Sequence, residues 1–281
     1  MFSILAAYGF FFILLAAISA MLAAMLAAVY WRSGPVVGLL TLGGLGLAGT
    51  WVLSGDFTIP IVVLAAVLIH AVDRRWSLSR AIWQAFALNA LVILAWMLMV
   101  YLAFQARPYA AIEIQEMLGE LEVKPWMVGI APGFLLAGQF VAAWIGVLLT
   151  SSGNAELWPQ QDVQDWEIPW YLVWVLIGCG FGVWGLLAGL VQDTQSGALL
   201  ALFSSGAVLA ASWFLVQGFL VGVVAMKTWK LPAWLGILAM LSMWHFLPLV
   251  GVAEVWGGFR ARMRAHAAAR EQGRKRGDGD F

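Results

Sequence analysis

Charge is scarce in this sequence. Of 281 residues, 15 are Lys or Arg and 15 are Asp or Glu, 11% together, against 63% hydrophobic residues. Ser3–Tyr30, Trp126–Thr150, Ile168–Gln192 and Ser196–Met226 carry no charged side chain. Such a chain lacks the solvated surface of a soluble domain, where about a quarter of residues are charged. Cysteine is scarcer still. Cys179 stands alone, which excludes an intrachain disulfide and leaves the redox compartment unread. Period-2 alternation is missing from the apolar runs, which excludes a membrane β-barrel. No polar stretch is long enough to bury a core of its own, so no soluble domain is expected.

What remains is a polytopic, all-α transmembrane bundle. About 20 apolar residues at a rise of about 1.5 Å cross about 30 Å of hydrocarbon. About eight apolar segments qualify, near 3–31, 35–54, 58–72, 80–105, 126–150, 168–190, 197–225 and 232–256. The first has no Lys or Arg ahead of it and exceeds the length of a cleaved signal core, so it reads as a retained span. The second is glycine-rich (Gly43, Gly44, Gly46, Gly49), which permits close helix approach. Between the fourth and fifth, residues 109–124 place Ile114, Met117, Leu118 and Leu121 on one face and Glu113, Glu116 and Glu120 on another. That pattern predicts an amphipathic helix outside the hydrocarbon. Residues 1–258 read as one transmembrane domain and 259–281 as a basic, disordered tail.

Positive charge near spans marks the cytoplasmic side. With eight full spans, Arg32, Arg74, Arg75, Arg80, Lys227 and Lys230 share one side, and the tail, with Arg260, Arg262, Arg264, Arg270, Arg274, Lys275 and Arg276, lies on the other. Both cannot be cytoplasmic. A final segment broken at Pro248 and re-entrant removes the conflict, and that reading is favoured over a miscounted span or loop charges overridden by the tail.

Polar residues inside spans are the natural pointers to function, because burying one without a partner is costly. Asn89, Gln139, Gln217 and His245 lie deepest in apolar runs, and Trp174 and Trp184 are aromatic walls for a small-solute site. Interhelical hydrogen bonding is the plainer role for the amides, and a satisfied core histidine for His245. Gly178/Gly182 and Gly185/Gly189 are i,i+4 pairs that smooth one helix face for packing. Gly180 to Gly185 spells GxGxxG, but no strand precedes it and no acid follows at ribose distance, so a dinucleotide is excluded. Many of the 17 tryptophans, among them Trp31, Trp51, Trp126, Trp170 and Trp229, end spans, as interfacial anchors do. His70 and Asp73 are two possible ligands without a third, so no metal is expected. Ser204, Ser205 and Ser212 have no His–acid partner nearby in sequence, so no enzyme activity, catalytic residue or cofactor is expected. The basic tail has the charge to attract anionic lipid; with no aromatic interleaving, nucleic acid is not an expected partner.

Three motifs in order carry a resemblance. Trp166-Glu167-Ile168-Pro169 is followed by Trp174. Gln217-Gly218 sits late in a long span, ahead of Lys227 and Lys230. Gly251-Val252-Ala253-Glu254-Val255-Trp256 leads into Phe259-Arg260-Ala261-Arg262. Together they resemble the YybS-like family of bacterial membrane proteins, a family of unknown function, over roughly 150–265. Glu167 stands where that family usually has Arg, and Gly258 where it usually has Asp or Asn. The resemblance implies the bacterial cytoplasmic (inner) membrane and a distant likeness to the substrate-binding subunits of energy-coupling-factor uptake systems and to the cell-shape protein MreD. Two functions follow as expectations: a transporter-like subunit that binds a small solute and relies on an energising partner, or a non-catalytic scaffold that organises other envelope or membrane proteins.

Overall fold

A computed structural model describes residues 2–34, 58–105, 125–153, 166–188 and 196–277. The expected span at 35–54, the amphipathic helix at 109–124 and Gly189 lie outside these residues. Among the described residues every regular element is helical: α1 Phe2–Ser33, α2 Thr58–Asp73, α3 Leu78–Gln105, α4 Pro125–Gly153, α5 Leu172–Leu187, α6 Ser196–Trp229, α7 Ala233–Ser242, a 3-10 turn Trp244–Phe246, α8 Leu247–Gly257 and α9 Phe259–Gly277. With no water to satisfy peptide groups in lipid, an uncharged apolar run has little alternative to helix.

This is a multi-pass membrane protein. Among the described residues four helices are long and apolar enough to cross a bilayer, through Leu15–Arg32, Leu78–Met99, Ile130–Ser151 and Gly197–Trp229, and a fifth span arises if the bent pair α7/α8 counts as one. That is fewer than the eight segments read from sequence. α2 and α5 are shorter apolar helices of 16 residues each, and the second segment is not described. The final segment breaks where expected in kind but not in place. The bend of 65° falls at Met243 and the 3-10 turn, while Pro248 sits in the first turn of α8. Proline is tolerated there because the missing N–H has no helical acceptor anyway.

The chain divides into two compact units: Met1–Val163 with Cys179–Leu209, and Gln164–Gly178 with Ala210–Phe281. In the first, α4 packs on α1, α2 and α3, and α2 also packs on α1 and α3. Small residues permit this. Ala16, Ala20, Ala23 and Ala27 form a buried stripe along α1, spaced as one helix face. Gly146 of α4 lies against Leu64 and Leu68 of α2.

The basic turn after α2 is an ordered structure. Arg75 takes a left-handed conformation (φ 51°), the Arg74 N–H returns to the His70 carbonyl at 2.9 Å, and Ser77 Oγ accepts the Arg80 N–H at 3.3 Å to cap α3. Trp31 Nε1 donates to Asp73 at 3.4 Å, and the Arg80 guanidinium lies 4.6 Å from the Trp76 ring centroid. His70, Asp73 and Arg74 are exposed.

In the second unit, α6 and the α7/α8 pair run antiparallel with their backbones close together. A Cβ on Gly218 would strike the Leu247 carbonyl, and one on Gly251 the Phe214 carbonyl. Gly222 and Gly236 face Met240 and Met226 in the same way. After α8, Gly258 turns the chain in the left-handed region (φ 54°) and α9 begins. A helix over 259–277 replaces the disordered tail expected from charge. Its first turn is capped, and Ala265 to Ala269 is rich in alanine, the strongest helix former.

Candidate functional site

The three sequence motifs of the C-terminal half meet in one knot in the second unit. Residues 166–169 are non-helical and lead into α5. Their backbone polar groups therefore lack helical partners and must find others. The Ile168 N–H donates to Gln217 Oε1 at 3.2 Å. The Trp166 carbonyl accepts from Arg260 Nη1 at 2.9 Å. The Pro169 carbonyl accepts the Leu172 N–H at 3.0 Å, starting α5.

Arg260 is 1% exposed. Its Nε donates to Glu254 Oε1 at 2.9 Å, and its Nη2 lies 3.9 Å from Glu167 Oε1. The other Glu254 oxygen accepts the Phe259 N–H at 2.6 Å, and the Arg260 N–H lies 3.3 Å from both carboxylate oxygens. Thus one buried carboxylate neutralises the buried guanidinium and caps the N-terminus of α9, where the helix dipole favours negative charge. The sequence departures acquire a physical meaning. Glu167, where Arg is usual, is a second acid facing Arg260. Gly258 occupies a left-handed position that Asp and Asn also tolerate.

Gln217 is 2% exposed and is engaged with Ile168. Gly251 lies against the Phe214 carbonyl and the Gly218 nitrogen, next in the chain to Gln217. Trp174, Trp256 and Arg262 are exposed, and Phe259 covers Gly257 with its ring. His245 is also exposed, its ring tilted by 42° against Trp244 with centroids 4.1 Å apart.

The first unit holds a different polar group. Asn89, on α3, is 0% exposed, and neither Oδ1 nor Nδ2 has a hydrogen-bond partner among the described residues. One turn earlier, Phe86 meets Phe140 of α4 edge-on at 5.6 Å, and Trp83 meets the same ring at 5.6 Å. The Asn89 side is therefore the α3 face turned to α4. Gln139, next to Phe140, is half-buried. Trp184, also of this unit, is 63% exposed, and Trp174 of the other unit is 62% exposed. The solute-binding candidates thus fall in both units: Asn89, Gln139 and Trp184 in one; Gln217, His245 and Trp174 in the other.

The glycine pairs also divide. Gly182 packs on the Phe203 ring, whereas Gly178 faces open space; Gly185 is half-buried. Among the described residues no group of three His, Cys, Asp or Glu could hold a metal ion. Two features escaped sequence reasoning. The Trp83–Phe86–Phe140 cluster belongs to a general excess of aromatics that gives no local signal. The Trp166 carbonyl is a backbone acceptor and carries no side-chain signature.

Residues 110–257, just over half of the chain, match the profile of a family described as "Predicted membrane protein (DUF2232)". The YybS-like resemblance is consistent with that match. No curated protein and no solved structure matches the chain.

Proposed function

Because the chain belongs to the DUF2232 family of predicted membrane proteins, we propose that it is a multi-pass subunit of a bacterial cytoplasmic membrane that binds a small solute beside Asn89, without chemical turnover. One observation carries the reading: a carboxamide at 0% exposure with no hydrogen-bond partner among the described residues. Burying such a group unsatisfied costs about 1–3 kcal/mol, and a solute that supplies a donor and an acceptor recovers that cost. Phe86, Trp83 and Phe140 provide apolar walls nearby. α3 beyond Arg80, and all of α4, contain no charged residue, which favours a neutral ligand. The chain has no ATP-binding motif, so concentrative uptake would rest on an energising partner protein.

The test is native mass spectrometry of the protein drawn gently from its own membrane, as wild type and as Asn89→Leu. Wild type should carry a reproducible small-molecule adduct and the variant none. The empty variant should unfold about 1–3 kcal/mol harder than empty wild type, since an unsatisfied amide has been replaced by an apolar group of similar size. An adduct retained by Asn89→Leu sinks the assignment of Asn89. A bare wild-type chain arriving with stoichiometric protein partners supports the scaffold instead.

A further inference from the structure

The contacts along α6 bear on where the chain leaves the membrane. Residues 236, 240, 247 and 251 meet residues 226, 222, 218 and 214 of α6 in that order. The pairing moves in one direction through the 65° bend. A re-entrant segment would turn back, and α8 would meet the end of α6 near Trp229 again. From Trp229 to Phe214 is about 22 Å of helix, and the six residues of α8 beyond Gly251 add about 9 Å. The sum is close to the hydrocarbon thickness of about 30 Å. α7 and α8 together therefore make one kinked crossing, contrary to the re-entrant segment read from the charge pattern.

Two consequences follow. α9 leaves on the bilayer face opposite Lys227 and Lys230. It also starts at the membrane boundary, marked by exposed Trp256 and Phe259 on either side of the Gly258 turn. α9 is strongly basic. Apart from Arg260, which is engaged inside the knot, it carries Arg262, Arg264, Arg270, Arg274, Lys275 and Arg276 against one acid, Glu271. Arg262 and Arg264 are exposed. Both lie within about 10 Å of chain rise from the exit, one Debye length at ordinary ionic strength. Arg262 and His266 are both exposed and lie one turn apart on the same side of the helix. We propose that α9 is a docking helix for anionic lipid headgroups on the face where α8 emerges. The charges fit, and headgroups are the surface nearest to them. The first turn is held in place by Glu254 and Arg260.

The test uses the full chain with Cys179→Ser and one new cysteine. Lys230→Cys and Ala268→Cys, expressed separately in cells, should react with an impermeant maleimide from opposite sides of the membrane. Ala268→Cys is then given a fluorophore and placed in nanodiscs of phosphatidylcholine, with or without phosphatidylglycerol. Aqueous acrylamide should quench the fluorophore less in the anionic discs. High salt should erase the difference, and anionic-lipid affinity should fall about fivefold for each arginine removed in Arg262→Gln and Arg270→Gln. Labelling from the same side overturns the kinked crossing. Equal quenching in both discs, or protection that survives salt and both substitutions, overturns lipid docking, as does tight capture of an acidic peptide or RNA with no lipid preference.

Discussion

Arg260→Ala should be among the most damaging single changes in the second unit. The guanidinium is 1% exposed and Glu254 is 5% exposed. The substitution leaves that carboxylate buried with its two capped N–H groups but no cation. Breaking a buried pair from one side costs about 3–5 kcal/mol. The Trp166 carbonyl also loses a charged donor at 2.9 Å, which places the expected loss at the upper end of that range. Arg260→Leu combined with Glu254→Leu removes both charges. It should cost only the cap and the Trp166 bond, about 2–3 kcal/mol. The double variant should therefore be more stable than Arg260→Ala. Glu167→Gln is the internal control: that acid is 76% exposed and 3.9 Å from Nη2, so it should shift stability by less than about 1 kcal/mol. Unfolding in bicelles by added dodecyl sulfate, followed by tryptophan emission, measures all four proteins. The argument fails if Arg260→Ala costs under about 1 kcal/mol, or if the double variant is less stable than Arg260→Ala.

Other predictions concern glycine. Gly178→Ala, into open space, should be neutral or stabilise by up to about 1 kcal/mol, whereas Gly218→Ala, against the Leu247 carbonyl, should cost about 1–3 kcal/mol or more; the same unfolding series measures both. Gly182→Ala should perturb the Phe203 ring, visible as a shifted aromatic resonance in a fluorine-labelled protein. At the left-handed position 258, Gly258→Asn should keep α9 folded while Gly258→Val should fray its start, read as faster amide exchange at Phe259 and Arg260.

The helical membrane class was legible from charge depletion alone, because lipid leaves an uncharged run little alternative to helix. The shortness of α2 and α5 was not. α2 and α5 are apolar enough to look like spans, but their 16 residues rise only about 24 Å. The knot was half legible. Gly218, Gly251, Glu254 and Arg260 are visible in the sequence as members of ordered motifs. That Trp166 and Gln217 reach the same place is a matter of tertiary contact across 94 and 49 residues. The alanine stripe of α1 carries no sequence signal of its own, because alanine is common in any apolar helix. Asn89 stands out in the sequence as an amide in an apolar run, and the structure buries it fully.

Arg260 is the last member of the knot in chain order. Trp166, Gln217 and Glu254 all precede it, so the last apolar helix ends on an acid whose counter-charge stands six residues further on. A chain cut before Arg260 leaves Glu254 without that cation and the Trp166 carbonyl without its Arg260 donor. A chain stopped just after Gly258 would hold every membrane-spanning residue described here and still be unable to close the bundle.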